Sequence, residues 1–187
     1  MVDLTLLQSV SYVAAAIGVS AAAIYYVMTL RETNRNRRIT TTSTLLQTLL
    51  SLETCHIVSE LMIMKWENFD DFYKKYDSSV NPDNLAKRQR LWGLFDVIGS
   101  LYKSGLLDME TLYCSEGLTI INAWIKFKPI IEKYRKISYG KDHYENWEFV
   151  AGEIAKFKEK KDPLWRTNSP DLFNPEEYDR AFNIKTA

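Results

Sequence analysis

The first thirty residues carry one long apolar run that ends at a group of arginines. From Leu4 to Leu30 no residue is charged, and the most apolar part is Val10 to Leu30. A helix of this length extends about 40 Å, and the hydrocarbon core of a bilayer is about 30 Å thick. Tyr25 and Tyr26 lie near one end, where interfacial aromatic residues are expected. The pattern predicts one transmembrane helix in residues 1–30.

Two other interpretations of the run are weaker. A secretion signal begins with a positively charged segment, whereas this chain has Asp3 and no Lys or Arg before the apolar run. A buried core helix rarely extends this far without a charged residue. Both comparisons favour a membrane anchor.

The arginines that follow the run orient the predicted anchor. Positive charge marks the cytoplasmic flank of a membrane helix, so the N-terminus is expected outside the cell membrane and residues 31–187 inside. The cluster either only sets this topology or also holds anionic lipid head groups, and topology alone is sufficient to explain it. Its members are Arg31, Arg35, Arg37 and Arg38.

Ala14, Gly18 and Ala22 recur at every fourth position of the apolar run. Small residues at this spacing let two helix backbones approach closely in a membrane. The face could pair two copies of the chain or dock on another membrane subunit. The alternative is that an alanine-rich helix contains such a triplet by composition alone.

The apolar pattern and the helix start and stop signals in residues 31–162 predict a helical cytoplasmic domain. A helix over Thr40–Lys65 is apolar nearly all round, which predicts a central position. Asn81 followed by Pro82 indicates a helix start, and Gly105 follows the end of that helix.

Two further helices complete this domain. Asp108 is expected to cap the first, which Pro129 should kink or split. Asp142 and Glu145 resemble a capping pair for the last long helix. Strand signals are weak, so the predicted fold is all-α, with four to five cytoplasmic helices below one membrane helix.

Residues 163–187 form a tail that prolines interrupt and that contains several aromatic residues. Asn174 and Pro175 predict one short helix that extends through Phe182. The aromatic residues are too apolar for a solvated tail, so they either pack back on the bundle, which is favoured, or bind a partner. They are Trp165, Phe173, Tyr178 and Phe182.

Charge and cysteine content narrow the possible functions. The formal net charge is zero, which gives no electrostatic case for nucleic-acid binding. Cys55 and Cys114 form no CxxC motif, and two free, buried thiols are the favoured interpretation.

One weak metal-site pattern is present. Glu53 and His56 have the Glu-x-x-His spacing of half a di-iron site in a helical bundle. A full site needs a second such pair, but the other histidine, His143, has Gly140 where the glutamate should be. The sequence matches no nucleophile, phosphate-loop or zinc-protease motif. We therefore expect no cofactor and no enzymatic activity.

Two stretches resemble a known family. LQSVSYVAAAIGVSAAAIYYVMTLRETNRNRR is similar to the N-terminus of a family of uncharacterised single-pass membrane proteins. KWENFDDFYKKYDSSVNPDNLAKRQRLWGLFDVIGSLYKSGLLD is similar to their helical cytosolic domain of unknown function. The resemblance implies an anchor, a helical cytosolic fold and no catalytic residues.

Three functional hypotheses follow. The first is a non-catalytic, membrane-anchored interaction module that serves as an accessory subunit of a membrane assembly or associates with itself. The second is a sensor or regulator that binds a small ligand in the bundle core. The third is a metal-dependent enzyme that uses Glu53 and His56.

Overall fold

A computed structural model describes residues 4–115, 117–164 and 175–182, and every regular element within these ranges is helical. The predicted all-α class is confirmed for this part of the chain. The helices are α1 (Leu4–Leu49), α2 (Leu52–Ile63), α3 (Phe69–Tyr76), α4 (Pro82–Lys103), α5 (Met109–Ser115), α6 (Gly117–Tyr134), α7 (Glu145–Lys161) and α8 (Pro175–Phe182), with a π-helical turn at Arg135–Tyr139.

The chain divides into two compact units, Met1–Thr41 and Thr42–Ala187. The first unit consists of most of α1, whose side chains are exposed along residues 8–40. The second unit is a helical bundle in which α4 and α6 both pack against α7. Its core is rich in aromatic side chains that are fully buried, among them Phe95, Trp124, Phe127 and Trp147.

The predicted ends of α4 are confirmed by its local hydrogen bonds. The side chain of Asn81 accepts from the N–H of Asn84 at 3.0 Å, and Pro82 occupies the first turn. At the other end Gly105 has φ +72°, where a side chain would be strained. The N–H of Gly105 donates to Tyr102 and that of Leu106 to Leu101, which satisfies two terminal carbonyls.

The helix predicted over Thr40–Lys65 is two helices. The side chain of Ser51 accepts from the N–H of Thr54 and starts α2, so the chain breaks between Leu49 and Leu52. The predicted central position is also wrong, because Leu52 and Ile63 of α2 are each 74% exposed. Only one face of α2 packs on the bundle.

The region after α4 is also more segmented than predicted. Asp108 caps α5 as expected, accepting from the N–H of Thr111 at 2.9 Å. A new helix, α6, begins at Gly117 and continues past Pro129 without being split. Ile130 and Ile131 next to the proline are fully buried, and this packing offsets the missing backbone donor.

The predicted capping pair of Asp142 and Glu145 is wrong. α7 is preceded by Tyr144, whose φ is +58° and whose side chain makes no capping bond. The N–H of Glu145 donates to the backbone carbonyl of Asp142, and the side-chain acceptor is Asp96 of α4, which accepts from the N–H groups of Asn146 and Trp147. The cap therefore comes from a different helix.

Candidate membrane anchor and buried polar sites

In the apolar part of α1, side-chain hydroxyl groups donate hydrogen bonds to backbone carbonyls one turn earlier in the same helix. The hydroxyl of Ser9 donates to the carbonyl of Thr5, that of Ser20 to Ala16 and that of Thr29 to Tyr25, at 2.8–2.9 Å. In hydrocarbon no water is present to satisfy such groups, so internal hydrogen bonds of this kind are what a membrane helix needs.

Within the described residues, α1 is the one helix that is long and apolar enough to cross a membrane, and none of its apolar segment is buried in the protein. The alternative of a buried core helix is therefore wrong. Large apolar side chains are exposed along its length, including Val10, Ile17, Ile24 and Tyr25. The small-residue face is exposed as well, and a side chain added at Gly18 would meet no other atom within 4 Å.

The four arginines of the cluster lie in α1 directly after the apolar segment, and all four are exposed. Helical geometry places Arg31, Arg35 and Arg38 on one side of α1. Arg37 lies on another side, about 120° from Arg31.

The weak metal candidates are not assembled into a site. The carboxylate of Glu53 pairs with the guanidinium of Arg90, and His56 is exposed on the outer face of α2. His143 stacks with Tyr139 at 4.5 Å between ring centroids, and its ring contacts the tilted ring of Tyr144 at 3.9 Å. Among the residues that the structure describes, no three His, Cys, Asp or Glu side chains are grouped to hold a metal ion.

The two cysteines are free, as predicted, but the prediction that both are buried is wrong. Cys55 and Cys114 are exposed. Cys55 lies on the part of α2 that faces away from the core, and Cys114 lies near the end of α5. Both thiols are therefore available to reagents in solution.

A buried arginine, which the sequence analysis did not identify, lies where α3 and α4 meet. Arg88 is 1% exposed. Its Nε donates to the side-chain oxygen of Asn84 at 2.9 Å, and its Nη2 donates to the carbonyl of Tyr76 at 2.6 Å. The guanidinium lies over the rings of Phe72 and Trp92, 4.8 and 5.3 Å from their centroids.

The electrostatic environment of Arg88 is dominated by burial. Loss of solvation lowers the pKa of Arg88, an effect that the Tyr134 hydroxyl partly opposes. Burial in turn raises the pKa of Tyr134, and it raises the pKa of Tyr144 to about 12. The aromatic faces and neutral acceptors suit a charged guanidinium that holds α3 against α4.

One protein-family model matches the sequence of this chain. The model of a domain of unknown function, DUF4760, matches residues 12–153. The chain belongs to the DUF4760 family. The predicted resemblance to an uncharacterised family is thereby confirmed. No curated protein and no solved structure gives a match.

The DUF4760 match starts within the apolar segment of α1 and ends within α7, so α8 lies beyond it. In α8 Ala181 is buried and Phe182 packs against the core. The ammonium of Lys128 in α6 donates to the carbonyl of Ala181 at 2.6 Å. These contacts attach α8 to the bundle, and whether the rest of the tail packs there stays a prediction. Tyr178 lies in α8, but its side chain is outside the described residues, as are Trp165 and Phe173.

Three polar residues that hold the helices of this DUF4760 protein together were not predicted from sequence, namely Arg88, Asp96 and Lys128. Arg88, Leu91 and Phe95 are spaced at i, i+3 and i+7, so helical periodicity alone places Arg88 on the apolar face of α4 and could have indicated its burial. Asp96 and Lys128 had no such signal, because their partners lie on distant segments of the chain.

Proposed function

We propose that this DUF4760 protein is a single-pass membrane protein with its N-terminus outside the cell and its helical bundle in the cytoplasm. The bundle acts as a non-catalytic interaction module, either as an accessory subunit of a membrane assembly or through self-association. The observation that carries the proposal is the exposed apolar length of α1.

The physical support for a membrane location is the cost of the alternative. Apolar surface in water is unfavourable by about 25 cal/mol per Å², and nearly every apolar side chain from Val10 to Leu30 is exposed. Transfer of this surface into lipid removes that cost. The arginines that follow favour the cytoplasm for the bundle.

The support for a non-catalytic role comes from how the titratable side chains are used. Glu53 pairs with Arg90, and Glu60 accepts from Lys87 at 2.8 Å. Asp96 caps α7, and Arg88 joins α3 to α4. These side chains hold helices together, which is the behaviour of a scaffold.

The two native thiols give a direct test of the topology. The chain has two cysteines, and both are exposed in the bundle. In intact cells a membrane-impermeant maleimide is expected to leave the chain unlabelled, and after permeabilisation it is expected to label both thiols. A C55S/C114S variant that carries Asp3→Cys should instead be labelled in intact cells, and C55S/C114S alone should never be labelled.

Labelling of Cys55 or Cys114 in intact cells would place the bundle outside the cell and overturn the proposed topology. Alkaline carbonate extraction tests the anchor separately, because release of the chain from membranes by carbonate would show that α1 does not span the bilayer.

Native mass spectrometry after mild detergent extraction tests the accessory role. Co-purifying membrane subunits or a self-associated chain would support the interaction module, whereas a strictly monomeric chain with no partner would contradict it.

A further inference from the structure

Three of the four arginines of the cluster form a narrow stripe on α1. Arg31, Arg35 and Arg38 are spaced at i, i+4 and i+7, which places them within about 60° of one another around the helix axis. Over seven residues the stripe extends about 10 Å along the axis. All three side chains are exposed, as are their neighbours through Thr40.

This part of α1 is a poor helix by its own composition. Residues 31–44 are rich in Thr, Asn and Ser, which have low helix propensity, and the four arginines are offset within this segment by a single carboxylate, Glu32. Residues 31–40 are exposed, so burial within the bundle does not stabilise them. An external anion that contacts the arginines would reduce this excess of positive charge and stabilise the segment.

The position of the stripe identifies the anion. Arg31 directly follows Leu30, the last residue of the apolar segment, so in the proposed topology the stripe begins at the level of the inner lipid head groups. We propose that Arg31, Arg35 and Arg38 bind the phosphate groups of anionic phospholipids. Guanidinium groups suit this ligand because they form paired hydrogen bonds with phosphate oxygens. The inference rests on the proposed membrane location.

Charge and dimensions favour a lipid over a soluble polyanion. The chain has no net charge, and the stripe is only about 10 Å long, which is short for a nucleic-acid contact surface. The stripe follows the apolar segment directly, so a membrane-inserted α1 would hold it beside lipid head groups. A soluble anion would gain nothing from this position.

The test uses the full chain reconstituted in nanodiscs of two compositions. One contains phosphatidylcholine only, and the other contains equal parts of phosphatidylcholine and phosphatidylglycerol. Hydrogen exchange of residues 31–44 is the measurement. We expect exchange to be at least about tenfold slower in the anionic discs. The variant R31Q/R35Q/R38Q should lose this difference.

A matched control removes the same charge elsewhere. Lys74, Lys133 and Lys160 are exposed on the bundle, and K74Q/K133Q/K160Q should keep the full difference between the discs. Purified protein in discs has no inside or outside, so a role of the arginines in topology alone predicts equal exchange in both lipids. That result would overturn the inference.

Two additional outcomes separate the sources of failure. If millimolar inorganic phosphate slows exchange equally in neutral discs, the site recognises free phosphate and the assignment to lipid is wrong. If the chain does not enter discs at all, the proposed membrane location is wrong. Failure of the lipid site alone leaves the chain in the discs with exchange that does not depend on lipid charge.

Discussion

The carboxylate of Asp96 accepts a hydrogen bond from the backbone N–H of Trp147 at 3.0 Å and thereby caps α7 from the side of α4. The same carboxylate accepts from the N–H of Asn146 at 3.0 Å and from its side-chain amide at 3.2 Å. The first N–H groups of a helix have no partner within that helix, so an acceptor is needed there. One side chain therefore fixes both the start of α7 and its position on α4.

Replacing Asp96 by Ala should lower the free energy of unfolding of the bundle by about 2 kcal/mol, because two backbone donors of α7 lose their acceptor. Asp96→Asn keeps an acceptor oxygen and should cost less. Denaturant unfolding of the full chain, followed by tryptophan fluorescence, measures the change. As a control, Asp83→Ala on the exposed side of α4 should change stability by less than about 0.5 kcal/mol. Equal effects at the two positions would contradict the capping role.

Gly99 provides a second test of the contact between α4 and α7. A side chain at this position would overlap the backbone carbonyl of Asn146, which cannot move aside without shifting α7. Gly99→Ala should therefore destabilise the bundle by about 3 kcal/mol. Gly93 lies in the same helix with no atom within 4 Å of an added side chain, and Gly93→Ala should stabilise by up to about 1 kcal/mol. Opposite signs in the same unfolding assay are the expected result.

The ends of α4 were predictable from sequence and the start of α7 was not, for a physical reason. Asn81 and Gly105 act on backbone groups within a few residues, so the local sequence contains the whole signal. The acceptor for α7 lies 50 residues earlier, and only tertiary packing brings it there.

Burial was similarly hard to predict for charged residues. Lys87, Arg88 and Arg90 are close neighbours in one helix, yet Arg88 is buried while the other two pair with glutamates near the surface. Phe72 and Trp92 provide the surface over which the guanidinium lies, and Phe72 comes from a separate helix.

His143 should make the stability of the bundle depend on pH. Burial, followed by the charge of Arg135, lowers the pKa of His143, while Asp96 and Asp142 oppose this shift. The neutral imidazole is therefore favoured in the folded state, and the unfolded chain takes up its proton first as the pH falls. The stability contributed by this group is present above about pH 6.5, the ordinary pKa, and is lost as the pH falls through the lowered value.

Denaturant unfolding of the full chain between about pH 7.5 and 5.5 measures this effect. We expect stability to decrease toward the acidic end in the unmodified chain and the slope to flatten in His143→Gln. An unchanged slope in His143→Gln would contradict the assignment.

The attachment of α8 should depend on Lys128. Its ammonium donates to the carbonyl of Ala181 and lies 3.7 Å from the carboxylates of Glu132 and Glu148. Lys128→Met retains most of the aliphatic side chain but removes the donor, so hydrogen exchange of residues 175–182 should become about five- to tenfold faster. Lys133→Met, at an exposed position of α6, should leave that exchange unchanged. Unaltered protection of α8 in Lys128→Met would show that apolar contacts alone hold it.

The small-residue face of α1 allows a test of self-association within the membrane. Close backbone approach requires that Ala14, Gly18 and Ala22 present no bulky side chain, so Gly18→Leu should shift a dimer toward monomer by about tenfold in its dissociation constant. Ala16 lies about 160° from Gly18 around the helix, and Ala16→Leu adds the same bulk where no partner helix is expected. Single-molecule photobleaching of labelled chains in bilayers, over a range of protein-to-lipid ratios, measures the dissociation constant. Equal dissociation constants for the two variants and the unmodified chain would leave alanine-rich composition as the explanation of the triplet.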